Sequence, residues 1–177
     1  LYIWIGWSIP RLQVGDRSWI VLRLMTGFLL LWAASSTLRV APHFLAYFNP
    51  LAGGPTRGWR VVADSNIDWG QDLKRLAAYL SSRNLDAPIA LSWFGSSYPE
   101  HVGISYMPLP GLPHHFNLWF EEPTFDVDDP EPGLYVISVS NLVELPLVDK
   151  RFFAYFRARE PDARIGYSIY LYEVAAP

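Results

Sequence analysis

The hydrophobic pattern divides the chain in two. Residues 19–40 are almost continuously apolar, about 20 side chains broken mainly by Arg23 and a few hydroxyl residues. As a helix rising about 1.5 Å per residue, such a run reaches about 30 Å, the thickness of a bilayer core. Trp19 and Arg39 mark its ends, and Arg23, one turn inside, can snorkel to the headgroups. A signal peptide fits poorly, because the run is too long and no small-residue cleavage site follows it. A membrane span is therefore expected. Residues 1–9 are apolar and aromatic but too short to span, and read as the end of a preceding span. The first residue is Leu, which points to a processed N-terminus or a piece of a longer protein. The loop 10–18 carries Arg11 and Arg17, which by charge faces the cytoplasm and leaves the remainder outside it. Arg39, Arg57 and Arg60 beyond the span weaken that asymmetry.

From residue 46 onward the periodicity is that of a folded domain. Asn49, Pro50, Gly53, Gly54 and Pro55 are turn residues. Residues 59–63 read as a short strand. Residues 68–82 read as a helix, with Trp69, Leu73, Leu76, Ala77 and Leu80 on one face. Residues 89–94 read as a strand, 98–102 as a helical turn and 108–132 as a long irregular excursion rich in Pro and acidic side chains. Residues 134–139 read as a further strand. Residues 147–159 read as a helix that turns Phe152, Phe153 and Phe156 to the core. Residues 165–174 alternate as a final strand. Strand, helix, strand at this spacing implies a right-handed parallel crossover. The expected class is α/β: an N-terminal transmembrane helix, then a small soluble α/β domain with a mostly parallel, mixed sheet. The expected division is a membrane segment at 1–45 and a soluble domain at 46–177.

Composition narrows the function classes. Charged residues are 18% of 177, against about 25% in average globular proteins, and the apolar run accounts for the deficit. Net charge is −3 with no basic tract, which argues against nucleic acid as a partner. There is no Cys, so disulfides, zinc–thiolate sites and thiol nucleophiles are excluded.

The densest candidate chemistry lies in residues 64–72, which hold three carboxylates, two amides and a Trp. Asp64, Asn66, Asp68, Trp69, Gln71 and Asp72 are the candidate ligand-binding residues. Asp64, Asn66 and Asp68 match the first, third and fifth places of a calcium loop, but Trp69 stands where the turn Gly belongs and Arg75 where the bidentate Glu belongs. A looser cation site, or a sugar or phosphate site with Trp69 stacking, stays open. So does a structural account, in which Ser65 with Asp68 forms a capping box, Asp68 and Asp72 answer the helix dipole, and Trp69 packs on the sheet. His43, His101, His114 and His115 lack metal-ligand spacing, so no metal and no cofactor is expected. Glu121, Glu122, Asp126, Asp128 and Asp129 sit among prolines and read as a solvated acidic loop rather than a glycosidase pair. No Ser/His/Asp arrangement emerges, and no catalytic residue is assigned.

Residues 42–55 (PHFLAYFNPLAGGP) and 63–73 (ADSNIDWGQDL) resemble the C-terminal part of bacterial family-39-type glycosyltransferases, multi-span proteins related to dolichyl-phosphate-mannose–protein mannosyltransferases. Residues 92–96 (SWFGS) and 160–172 (EPDARIGYSIYLY) are similar too, so the resemblance runs over about 42–174. It implies transfer of a sugar from a polyprenyl-phosphate carrier to a glycan or protein acceptor on the outer face of the membrane. The family's catalytic carboxylates lie in an early extracytoplasmic loop, and no residue here corresponds to them. The chain is therefore expected to be a C-terminal fragment, inactive alone. A non-catalytic carbohydrate-binding domain using Trp69, Trp93 and Trp119, or a purely structural one, is the alternative. On either reading, residues 64–72 are expected to form a polar edge, facing ligand or membrane, at the end of the first strand.

Overall fold

The computed structural model describes residues 16–62, 66–83, 88–111, 126–143 and 151–176. The chain divides into two compact units at the Arg39/Val40 junction.

The first unit is a single helix among its described residues, α1 (Asp16–Leu38, 23 residues). Its stretch Ser18–Leu38 is long and apolar enough to cross a membrane. The apolar side chains are exposed all round, with Leu24 at 69% and Leu31 at 73%, so no stripe is reserved for a protein core. The Ser36 and Thr37 hydroxyls both donate back to the Ala33 carbonyl at 2.9 Å, which satisfies them inside the helix.

The second unit begins with turns. Asn49 caps a 3-10 turn (Pro50–Ala52) by accepting from the Leu51 N–H at 2.9 Å. A short helix α2 (Gly54–Arg57) and a second 3-10 turn (Gly58–Arg60) follow. The strand expected at 59–63 does not form in its described part. The Val61 and Val62 N–H groups both bond to the Gly58 carbonyl at 2.9 Å, and both side chains face solvent. The cause is tertiary: Gly58 sits so close to Phe48 that a Cβ there would lie 2.6 Å from the ring, which fixes the turn. The crossover expected between 59–63 and 89–94 therefore does not exist.

The next helix, α3 (Leu73–Arg83), starts five residues later than the periodicity of 68–82 suggests. Gly70 has φ +72°, and a right-handed helix cannot run through a left-handed residue. Strands β1 (Ile89–Ser92) and β2 (Tyr106–Pro108) are followed by β3 (Gly133–Ser138), the short helix α4 (Val139–Leu142) and the short helix α5 (Ala154–Arg157). In place of a long helix over 147–159, the described part holds only α5, while Phe152, Phe153 and Phe156 are buried as expected. The final strand is a hairpin, β4 (Ala163–Ile165) and β5 (Ile169–Val174), turned at Gly166 with φ +59°.

The five strands form one mixed sheet in the order β2-β1-β3-β5-β4. β1 pairs in parallel with β2 and β3, whereas β5 pairs antiparallel with β3 and β4. The sheet is buried on both faces, and the period-2 rule assigns each side chain to one of them. Ala90, Tyr135, Ile137, Tyr170 and Tyr172 face an aromatic layer made by Phe152, Phe153 and Phe156. Ile89, Leu91, Val136, Ile169 and Leu171 face Leu73 and Leu76 of α3. The α/β class with an N-terminal apolar helix is as the sequence leads one to expect.

Phe156 is the hub of the aromatic layer, with ring centroids 4.8 Å from Tyr135 and 5.2 Å from both Tyr155 and Tyr172. Phe156→Ala should cost about 3–5 kcal/mol of unfolding free energy, by lost transfer and an unfilled cavity. Chemical denaturation followed by near-UV circular dichroism reads that loss; a cost under about 1 kcal/mol would show that the layer repacks.

Candidate functional site

Residues 66–72 lie across one end of the sheet, where the parallel strands β1 and β3 finish and β5 starts. Three loops meet them there. Ser138, the last residue of β3, pairs with Ile169, the first of β5, and the Val139 N–H donates to the Ser168 carbonyl at 2.8 Å. The Phe94 N–H, just past β1, donates to Ser138 Oγ at 3.0 Å. In open α/β sheets this carboxyl end of parallel strands is the usual ligand position.

Asp68 is 1% exposed and is spent in hydrogen bonds. Its Oδ1 accepts from the Gly70 N–H at 3.1 Å, and its Oδ2 accepts from the Ser140 N–H, also at 3.1 Å, at the start of α4. Burial pushes its carboxyl up from 3.8 to about 7, against the opposing pull of the Ser140 and Gly70 hydrogen bonds. The capping box expected of Ser65 with Asp68 falls partly on Ser65, outside the described residues, and α3 begins only at Leu73, so Asp68 does not lie in its first turn. Asp68 instead ties the turn before α3 to the chain leaving β3.

Asp72, fully buried, immediately precedes α3, and its carbonyl accepts the first helical bond from the Leu76 N–H at 2.9 Å. Its Oδ2 accepts from Ser168 Oγ at 2.7 Å, and its Oδ1 pairs with Arg75. His43 Nδ1 lies 3.8 Å from the same Oδ1, and the His43 ring stands edge-on to Tyr167 at 5.6 Å. Gly166 makes the space: a Cβ there would lie 2.1 Å from Asp72 Oδ2. His43, Asp72 and Ser168 are thus adjacent without forming a nucleophilic triad. The serine donates to the aspartate rather than to the histidine, and its hydroxyl is buried.

The remaining candidates are divided between the interior and the surface. Gln71 closes on its own turn, donating from Nε2 to the Ile67 carbonyl at 2.9 Å and accepting from the Trp69 N–H at 2.8 Å. Trp69 is 59% exposed rather than packed on the sheet, and Asn66 is exposed. Asp64 lies outside the described residues, as do Ser65, Trp119, Glu121, Glu122, His114 and His115. No group of acidic and histidine side chains fit to hold a metal occurs among the described residues. Trp93 is buried, with Nε1 donating to the Ser97 carbonyl at 2.8 Å, so it offers no face to a sugar. Asp126 accepts from the N–H groups of Asp128 and Asp129, a self-contained acidic turn.

The edge is therefore polar but turned inward. Gly70 and Gly95 bring the backbone of residues 68–72 against the loop after β1 so closely that a Cβ on Gly70 would lie 2.7 Å from the Gly95 Cα. Beside this contact opens a cleft of about 600 Å³ lined by Gly70, Gln71, Lys74, Tyr98 and His101 among others, with no carboxylate among its described lining residues. Sequence reasoning missed the roles of His43, Ser140, Gly166 and Ser168, because each meets Asp68 or Asp72 only through the fold; the pairing of Arg75 with Asp72, three residues before it, was the one local signal. No protein-family model, curated protein or solved structure matches the chain.

Two substitutions separate the parts of this brace. Gly166→Ala combines a left-handed backbone with a collision against Asp72 and should cost about 2 kcal/mol or more, read by chemical denaturation. Asp68 binds its proton more tightly folded than unfolded, so its contribution to stability is fully present below about pH 4 and is lost as pH rises through about 7. Stability should fall between those values, and Asp68→Asn should flatten the slope while losing one of the two N–H bonds, at about 1–3 kcal/mol. An unchanged pH slope in the variant would show that Asp68 is not the titrating group.

Proposed function

We propose that the chain is the C-terminal region of a membrane glycosyltransferase that uses a polyprenyl-phosphate sugar as donor and a glycan or protein as acceptor. Its α/β unit lies on the extracytoplasmic side and is not catalytic. It steadies the membrane part or presents the acceptor. The single observation that carries this reading is how the most family-like segment is used. Asp68, Gln71 and Asp72 direct their polar atoms into the unit itself, so the motif serves architecture rather than bond-making. That agrees with a family pattern whose reacting carboxylates lie elsewhere. The apolar helix Ser18–Leu38 agrees with a membrane protein. Trp69, exposed and with its backbone held by Gln71, is the side chain of the segment best placed to meet a sugar face.

The test is transfer from a radiolabelled polyprenyl-phosphate hexose in membranes containing the full-length gene product. Label should pass to an acceptor. Asp68→Asn and Gln71→Ala should lower the yield of folded protein and leave transfer per folded molecule within about twofold of the unsubstituted enzyme, since neither contacts a reacting atom. A loss of about 100-fold per folded molecule would place the segment in the chemistry. Failure of every lipid-linked hexose to donate would end the reading.

A further inference from the structure

A second concave site lies away from the carboxylate brace. It is a cavity of about 300 Å³ where the turn 54–60 meets the loop between α5 and β4. Among the described residues, four arginines line it, Arg57, Arg60, Arg159 and Arg164, with a single carboxylate, Glu160. Four positive charges against one negative leave +3 on the described part of the wall, in a chain whose net charge is −3.

Three of the four arginines, Arg60, Arg159 and Arg164, are held in place rather than loosely solvated. Arg60 lies over the Trp59 ring at 5.2 Å and Arg164 over the Tyr170 ring at 5.2 Å, and those two rings meet edge to face at 6.0 Å. Arg159 lies over the Tyr155 ring at 5.0 Å and donates to its hydroxyl. Stacking on an aromatic face orients a guanidinium while leaving donors on its edge free. Glu160 is shared between Arg164 at 2.8 Å and Arg60 at 3.6 Å. Among the described residues no carboxylate pairs with Arg57 or Arg159. Like charges gathered in a hollow repel one another, and the arrangement is favoured when an anion fills it.

We infer that this cavity binds a phosphate group, either of a lipid headgroup or of a soluble phosphate ester. A carboxylate offers two oxygens, and Glu160 already supplies one such partner. A phosphate monoester or diphosphate brings about two negative charges and three or more acceptor oxygens, which several guanidinium forks engage together. The volume suits a phosphate with a small substituent. The site stands independently of the glycosyltransferase reading, since it rests on arginine geometry alone.

The test uses the full chain in phosphatidylcholine nanodiscs. Inorganic pyrophosphate is titrated by calorimetry, and in a parallel arm phosphatidate is added to the bilayer and its headgroup followed by ³¹P NMR. Arg57→Gln with Arg159→Gln should weaken binding about tenfold or more, because two charge-assisted contacts are lost. Glu160→Gln, which removes the competing carboxylate, should tighten it about threefold, a sign that mere damage to the fold would not give. All three side chains are exposed, and circular dichroism checks that the unit stays folded. Saturable pyrophosphate binding with an undisturbed phosphatidate signal identifies the soluble source. A shifted phosphatidate signal abolished by the double substitution identifies the lipid. Absence of both, or equal binding by the parent chain and the double variant, overturns the proposal.

Discussion

The folded unit depends on two carboxylates, four residues apart, that are taken out of water and hydrogen-bonded to two distant parts of the chain. Asp68 reaches the start of α4 through the Ser140 N–H, and Asp72 reaches the β4–β5 turn through the Ser168 hydroxyl. Burying carboxylates costs several kcal/mol unless hydrogen bonds replace the lost water. Here every named partner comes from a backbone N–H, a hydroxyl or a cation that the sheet's end holds in place. The brace therefore forms only when β1, β3 and β5 are aligned, and it fixes the entry of α3 onto the aliphatic face of the sheet.

The glycines of this region follow from the same constraint. Gly70 lets the turn before α3 lie against Gly95, and Gly166 leaves the volume that the Asp72 carboxylate fills. Each position sits at a contact where a methyl group would collide, so conformation and volume select glycine together. Polar density in this segment is thus the signature of a joint between elements. It is a poor guide to chemistry, because a carboxylate buried against the fold's own donors is closed off from solvent and substrate.

The charge of the molecule is arranged differently at the two sites. At the sheet's end the carboxylates are internal and hydrogen-bonded to the fold. At the cavity around Arg57 and Arg164 the cations outnumber the acids among the described lining residues, and three of them stand on aromatic rings. A mild overall negative charge conceals both, since the sum does not record which charges share a wall.

Much of the architecture was legible in the sequence because burial imposes periods on it. The long apolar run gave α1, the alternation of Ile169, Leu171, Tyr170 and Tyr172 gave a two-faced strand, and the Phe152, Phe153 and Phe156 spacing gave the aromatic layer. Tertiary contact decided what local pattern could not. The apolar pair Val61 and Val62 became an exposed turn because Gly58 is pressed on Phe48, and α3 was delayed by the left-handed Gly70. The Asp-rich segment announced itself by composition, but whether it faced a ligand or the interior depended on Ser140, Gly166 and Ser168, some 70 to 100 positions away. The sequence by itself determined which residues prefer burial and at what spacing, because those preferences are local. Only the tertiary structure decided which polar groups find each other, because a hydrogen bond or a shared cavity is a property of two segments that the fold brings together.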